Sequence, residues 1–182
     1  MIRLVYETHA ISIDNERGIA TGWLPGELSE AGRESARELG ARRRDDGIAA
    51  VFTSDLRRAV ETAEIAFAGS PIPLHQDERL RECDYGKLNG APVEQIEVTR
   101  LDRIKVPFPG GESYVDVVRR TRDFLRDLLR NYDGSRLLVI AHSANRWALQ
   151  HLLEGVPLAD VIAAAFAWQE GREYVLERAA IL

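Results

Sequence analysis

Short apolar runs alternate with longer stretches of helical periodicity along this chain. Continuous apolar runs at Ile2–Tyr6, Ala49–Thr53 and Arg136–Ala141 are typical of buried strands in a parallel sheet. A shorter strand is expected at Ile72–Leu74. The pattern therefore predicts several short strands separated by other elements.

Helices are predicted between these strands. Ser29 caps one that runs to about Arg44, and Ser54 or Asp55 caps another. The clearest helix opens at Ser113, where Asp116 three residues later completes a capping-box pattern. Its apolar face is formed by Val117, Thr121, Phe124, Leu125, Leu128 and Leu129.

The segments between these elements have the composition of loops. Asp14–Glu27 is rich in Gly, Asn and Pro, Arg81–Gly86 combines acids with a glycine, and Pro107–Gly111 is a turn-forming run. Glu170-Gly171 separates two strand-like pieces, which predicts a terminal hairpin within residues 167–177.

Strands that alternate with helices predict an α/β fold in which helices cover both faces of a mostly parallel sheet. The 182 residues fit a single domain that spans residues 1–182. Ligands of such sheets bind outside the carboxyl ends of the strands. The chemistry is therefore expected at that edge.

Composition narrows the function classes. A hydrophobic fraction of 45% and a charged fraction of 29% are typical of a soluble globular protein, and a net charge of -5 gives no reason to expect nucleic acid as a partner. The basic run Arg42–Arg44 is followed by two aspartates, so it is interpreted as a solvated helix end.

The single Cys83 excludes an intrachain disulfide and is not expected to be a nucleophile. No apolar stretch is long enough for a membrane, and a cytoplasmic location is predicted.

Two histidines stand where apolar strands end. His9 follows the first strand and His142 follows the run Arg136–Ala141. In a parallel sheet both could project into one crevice, where one imidazole can attack phosphorus and the other can donate to the transferring group. The pair predicts phosphoryl chemistry.

Five motifs carry a family resemblance. The first contains His9, Asn15 six residues later and the pair Gly22-Trp23. The others are Thr53–Ala63, Leu80–Gly86, Pro109–Ser113 and Val139–Ser143. In this order they resemble the histidine phosphatase superfamily, which includes cofactor-dependent phosphoglycerate mutases. The resemblance implies a phosphoglycerate mutase-like, three-layer α/β/α fold and hydrolysis of a small phosphomonoester through a phosphohistidine.

The resemblance also implies roles for single residues. His9 would be the phosphorylated nucleophile, Arg58 a phosphate-binding arginine, His142 the second phosphate-contacting histidine and Glu82 the proton donor to the leaving group. Neither a metal nor a cofactor is expected, and a homo-oligomer is left open. The candidate substrate-binding residues are Thr8, Asn15, Thr21, Gly22, Ser143 and Arg146.

The first motif departs from the family pattern. Thr8 stands where the family has an arginine, and Ala10 replaces the glycine that normally follows the histidine. Loss of a bidentate guanidinium contact predicts weaker catalysis unless another donor replaces it. Arg146, one helical turn after His142, is the candidate replacement.

Three alternative functions follow from the same residues. Glu7 and His9, with Glu82 and His142, could form a metal site with two histidines and two carboxylates. The substitution at Thr8 allows a phosphate-binding regulatory protein that has lost turnover. A mutase is disfavoured because little chain lies between Gly90 and Pro107 for the insertion that the resemblance associates with mutases.

Overall fold

The computed structural model describes residues 1–164 and 169–177. The strands are Ile2–Thr8 (β1), Ile19–Ala20 (β2), Ala50–Thr53 (β3), Leu74–Gln76 (β4), Ala91–Pro92 (β5), Arg136–Ala141 (β6) and Arg172–Leu176 (β7). The helices are Ile13–Glu16 (α1), Glu30–Arg43 (α2), Arg57–Ala66 (α3), Val93–Glu97 (α4), Tyr114–Asn131 (α5), Ser143–Glu154 (α6) and Leu158–Ala163 (α7). Short 3-10 turns lie at Glu78–Leu80, Gly86–Leu88 and Arg100–Arg103.

Five strands form the central sheet in the order β4-β3-β6-β1-β7. All neighbouring pairs are parallel except β1 and β7. β2 and β5 form a separate two-stranded sheet. The predicted mostly parallel sheet is therefore confirmed.

Helices cover both faces of this sheet, which gives the predicted three layers. On one face, Leu39 of α2 and Ala63 of α3 pack against Val5 and Leu138. On the other, α5 and α6 contribute a second cluster with β1 and β6. All six residues of the predicted apolar face of α5 are buried, because their spacing brings them onto one side of the helix.

Several predicted boundaries were wrong for identifiable physical reasons. The fourth strand begins at Leu74 rather than Ile72, because Pro71 and Pro73 have no amide proton to give to the ladder. The segment Asp14–Glu27 is not wholly loop, since it contains part of α1 and all of β2.

Two local interpretations also need correction. Neither Ser54 nor Asp55 is the N-cap of α3; the N-cap is Leu56, and no side chain caps the helix. The run Arg42–Arg44 is not simply a solvated helix end. Arg43 donates to the buried carboxylate of Glu7 at 2.9 Å, and Arg44 donates to the carbonyl of Ala66 at 2.6 Å.

The end of the chain agrees only in part with the predicted hairpin. β7 pairs with β1 in antiparallel orientation, after the turn at Glu170-Gly171. The first piece of the predicted hairpin falls largely on residues 165–168, which lie outside the described residues. No helix of the described part of the chain has the length and apolarity needed to cross a bilayer.

Candidate active site

The two histidines meet because β1 and β6 are parallel neighbours. Thr8 and Ala141, the last residues of β1 and β6, lie opposite each other. The residue that follows each of them is a histidine. The backbone amide of His9 donates to the carbonyl of Ala141 at 2.9 Å, and the two imidazole centroids are 5.0 Å apart. The predicted convergence of His9 and His142 at one sheet edge is confirmed.

The imidazole of His9 is held in one tautomer. Its Nδ1 lies 2.7 Å from the carbonyl oxygen of Ala10, and because that oxygen can only accept, Nδ1 carries the proton. Nε2 therefore keeps its lone pair, and Nε of Arg58 donates to it at 3.4 Å. Burial, and then the positive charge of Arg58, lower the pKa of His9 to about 3. The side chain is a neutral imidazole near pH 7.

His142 is fully buried and engaged through both ring nitrogens. Arg58 Nη2 can only donate, so Nδ1 of His142 accepts from it at 3.3 Å. Nε2 lies 2.7 Å from Oγ of Ser54, which is also fully buried. Burial, followed by the charge of Arg58, lowers the pKa of His142 well below its usual range. This histidine is therefore a neutral, fixed group at the N-cap of α6.

Arg58 connects the two histidines and lies in the first turn of α3. Its side chain is buried, and its guanidinium also donates to the carbonyls of Gly22 at 2.9 Å and Leu24 at 3.1 Å. Part of the planar fork is thus used to hold the 22–24 loop. A phosphoryl group would meet a guanidinium whose position is already set by the protein.

Glu82 reaches the same edge from the loop after the first 3-10 turn. Its Oε1 accepts from the amides of Cys83 at 2.8 Å and Ala144 at 3.2 Å, and its Oε2 accepts from the Ser143 hydroxyl at 2.9 Å. Two of these donors, the Ser143 hydroxyl and the Ala144 amide, belong to the first turn of α6. The carboxyl group is therefore oriented by three bonds.

The backbone of Glu82 is also fixed by hydrogen bonds. Its carbonyl accepts from Nε1 of Trp23 at 2.7 Å and from Nη2 of Arg120 at 2.9 Å. Arg120 also pairs with Glu112 at 2.9 Å. Trp23 of the first motif and the turn before α5 thus both position the loop that carries Glu82.

A cleft of about 750 Å³ opens in front of His9. The predicted residues that line it are Thr8, His9, Asn15, Glu82 and Ser143. Within the described residues, Arg58, His142, Thr21, Gly22 and Arg146 do not belong to its lining. Arg58 and His142 are buried beside His9 instead: Nε of Arg58 lies 3.4 Å from Nε2 of His9, and the two imidazole centroids are 5.0 Å apart.

Three candidate binding residues, Asn15, Thr21 and Gly22, take part in the local structure of their loop. Asn15 and Ser12 form the capping box of α1, and the hydroxyl of Thr21 donates to Asp14 at 2.9 Å. Gly22 has φ +55°, and a Cβ there would lie 1.9 Å from Oδ1 of Asn89. Turn geometry therefore accounts for Gly22, and the binding roles of these three residues stay predictions.

Position 8, next to His9, carries a small neutral side chain. Oγ1 of Thr8 lies 3.5 Å from the hydroxyl of Tyr6. Nη2 of Arg146 donates to Oε1 of Gln169 at 3.2 Å. Arg146 is not among the residues that line the cleft. The structure therefore gives no support to its predicted role as a replacement phosphate donor.

The alternative metal site is contradicted by the position of Glu7. This carboxylate is buried on the α2 side of the sheet, where it pairs with Arg43 at 2.9 Å and accepts from the amide of Gly171 at 3.0 Å. No group of three His, Cys, Asp or Glu side chains with metal-binding geometry occurs in residues 1–164 and 169–177. The two-histidine, two-carboxylate arrangement is not formed.

Sequence reasoning missed several residues of this site. Ser54 contacts His142, although its position in the second motif suggested only a helix cap. The segment after Gly90, where periodicity weakens, supplies part of the cleft lining, and no local pattern in the sequence indicates this. The further lining residues include Tyr85, Ile96, Glu97, Arg100, Tyr114 and Trp147.

Proteins of similar sequence include phosphoglycerate mutases and phosphoserine phosphatases. The chain is 37% identical over 169 residues to a 2,3-bisphosphoglycerate-dependent phosphoglycerate mutase of Methylobacterium sp. (strain 4-46), with 84% of this chain and 81% of that protein covered. It is 29% identical over 168 residues to phosphoserine phosphatase 1 of Hydrogenobacter thermophilus, with 87% and 79% covered.

A solved structure of a phosphatase is also similar to this chain. The mycobacterial glucosyl-3-phosphoglycerate phosphatase in complex with VO3 superposes with a TM-score of 0.77 at 30% identity, over 90% of this chain and 87% of that chain. The family model described as histidine phosphatase superfamily (branch 1) matches residues 7–177. With its paired histidines at the sheet edge and this match over nearly its whole length, the chain belongs to the histidine phosphatase superfamily.

Proposed function

We propose that this protein is a phosphomonoester hydrolase in which His9 takes the phosphoryl group of a small phosphorylated substrate and passes it to water. The observation that carries the proposal is the state of His9. Its Nδ1–H donates to the Ala10 carbonyl, so the lone pair lies on Nε2, and the attack on phosphorus replaces the hydrogen bond that Nε2 accepts from Arg58. A neutral imidazole in this tautomer is a competent nucleophile toward phosphorus.

In the first step, Nε2 of His9 forms a bond to phosphorus and the bond from phosphorus to the leaving oxygen breaks. Glu82 gives its proton to that oxygen, and Arg58 stabilises the charge on the equatorial oxygens. In the second step, Glu82 takes a proton from water as the water oxygen attacks phosphorus and the bond to Nε2 breaks. The Ser143 hydroxyl, 2.9 Å from Glu82, can donate to the carboxylate and accept from the acid.

The proposal is tested by trapping the intermediate. Rapid quenching with a 32P-labelled aryl phosphate should give a base-stable, acid-labile adduct in the wild type and none in His9→Ala. His75→Ala is the matched control, because His75 is an exposed histidine of β4 outside the cleft lining. An adduct that persists in His9→Ala would refute the assignment.

A second candidate is a phosphate-binding regulatory protein. Thr8 offers no charge, and Arg58 already donates to two backbone carbonyls, so the phosphoryl group meets fewer free donors than the family pattern supplies. Saturable binding of inorganic phosphate together with no adduct and no turnover would favour this candidate over hydrolysis.

The fate of the phosphoryl group separates hydrolysis from transfer. One relative is named a phosphoglycerate mutase, whereas the chain between Gly90 and Pro107 contains only β5, α4 and a 3-10 turn. We expect label from the adduct to appear as inorganic phosphate in the presence of phosphoglycerate. Recovery of the label in bisphosphoglycerate would favour the mutase.

A further inference from the structure

Part of the cleft in front of His9 is aromatic. Tyr85, Tyr114 and Trp147 contribute to its lining together with Ile96. The rings of Tyr114 and Trp147 meet edge to face with centroids 5.5 Å apart, which gives a rigid surface. A bound phosphoryl group fills only a small part of about 750 Å³, so the leaving group has to occupy the remaining space beside these rings.

The polar groups of this surface are neutral. Burial raises the pKa of Tyr85 and of Tyr114 well above the usual value of a tyrosine, so both phenols keep their protons near pH 7. The hydroxyl of Tyr114 is buried and interacts with the neighbouring Tyr85 side chain. The surface that these two rings contribute to the cleft is therefore uncharged.

The charged groups of the lining disfavour an anionic leaving group. Besides Glu82, the cleft is lined by Glu38, Glu97 and Arg100. Arg100 is the one guanidinium of the described lining; it lies 3.7 Å from Glu97 and stacks over Trp147 at 5.4 Å. Its charge is therefore already compensated. No basic side chain of the described chain lies at salt-bridge distance from Glu38, and a carboxylate entering the cleft would face a net negative surface.

From these contacts we infer that the leaving group is an uncharged alcohol carrying an aromatic ring, rather than a hydroxy acid. This inference rests on the proposed phosphatase function. The ring packs against Tyr114, Trp147 and Ile96, and the phosphoryl group lies at His9.

The first test compares three esters of primary alcohols, all of which need protonation of the leaving oxygen. We expect kcat/KM for 2-phenylethyl phosphate to exceed that for ethyl phosphate by about tenfold or more, and 3-phosphoglycerate to be no better than ethyl phosphate. Preference for 3-phosphoglycerate over 2-phenylethyl phosphate, with the His9 adduct intact, overturns this inference alone. Hydrolysis of none of the three esters, with no adduct, overturns the phosphatase function and the inference with it.

The second test uses the pair Glu97–Arg100. Glu97→Gln should free the guanidinium and raise kcat/KM for 3-phosphoglycerate severalfold, and adding Arg100→Gln should remove that gain. Glu94→Gln is the matched control, because it makes the same change in charge on the same helix at an exposed position outside the lining. If Arg100→Gln alone lowers 3-phosphoglycerate turnover far more than 2-phenylethyl phosphate turnover, Arg100 already receives an anion and the inference is wrong.

Discussion

At the scale of single residues, the reactivity of His9 depends on what its two ring nitrogens touch. The Ala10 carbonyl accepts a hydrogen bond from Nδ1, and burial, followed by the charge of Arg58, lowers the pKa of the ring and keeps it neutral. Arg58 is in turn held by the carbonyls of Gly22 and Leu24. His9 is thus held in the tautomer that the proposed attack on phosphorus requires, whereas Thr8 offers no charged donor to the transferring phosphoryl group.

Thr8→Arg is therefore expected to increase activity. Thr8 lines the cleft beside His9, so a guanidinium there would supply a second charged donor and raise turnover of an aryl phosphate roughly 10- to 100-fold. The measurement is kcat for the two proteins, and the gain should disappear in a His9→Ala background.

The same substitution in an Arg146→Ala background tests whether Arg146 acts as the replacement donor. Since Arg146 donates to Gln169 and does not line the cleft, the gain should be similar in both backgrounds. A gain found only without Arg146 would identify Arg146 as the substitute. Lower activity in both backgrounds, with the protein folded, would mean that the site is not an arginine-deleted version of the family site.

At the scale of elements, the position of Glu82 depends on the contact between two turns. The turn at Gly110-Gly111 approaches the acidic loop so closely that a Cβ on Gly111 would lie 2.2 Å from the carbonyl oxygen of Asp84. Glu112 adds its carboxylate, which accepts from the amide of Asp84 at 3.0 Å. The turn before α5 therefore serves the site, although no residue of it lines the cleft.

Gly111→Ala should consequently displace Glu82. We expect hydrolysis of an alkyl phosphate, which needs protonation of its leaving oxygen, to fall about tenfold more than hydrolysis of an activated aryl phosphate. Gly110→Ala is the control: its φ of +77° gives strain of about 1 kcal/mol, but its Cβ would meet only Lys87 Cγ at 4.0 Å. Equal loss on both substrates in Gly111→Ala would argue against positioning of the acid by this turn.

At the scale of the whole molecule, the fold buries two histidines in their neutral form, so its free energy of unfolding depends on pH. The pKa of His9 is lowered to about 3 and that of His142 lies well below its usual range, both because of burial and then Arg58. In the unfolded chain both titrate near pH 6.5. Between these values the unfolded chain binds more protons, so the free energy of unfolding rises with pH. The contribution is complete above about pH 6.5 and is lost as the pH falls toward 3.

Urea unfolding at pH 7 and pH 5 measures this linkage. The free energy of unfolding should be lower at pH 5 by roughly 1–2 kcal/mol for each histidine. In His9→Gln the difference between the two pH values should shrink by one such share, whereas His75→Gln, an exposed site on β4, should leave it unchanged. An unchanged difference in His9→Gln would show that the imidazole is protonated as readily in the folded protein as in the unfolded chain.

The amino-acid sequence by itself determined the architecture and the central pair of the site. Apolar runs specify β1, β3 and β6 because a strand buried on both faces needs apolar residues throughout, and the period of α5 specifies its buried face. Parallel strands align their carboxyl ends, so the placement of His9 and His142 after two such runs was sufficient to predict that they meet.

Only the tertiary structure decided which of the remaining side chains serve the site. Glu7 and His9 are two residues apart, yet Glu7 turns to Arg43 on α2 while His9 faces the cleft, because the strand ends between them. Ser54 reaches His142 across 88 positions of sequence, and the cleft lining between Gly90 and Pro107 comes from short elements without periodicity. Local pattern reports which face of an element is buried, but contacts between distant segments depend on how the finished layers pack, and those contacts set the tautomers, the charges and the shape of the cleft.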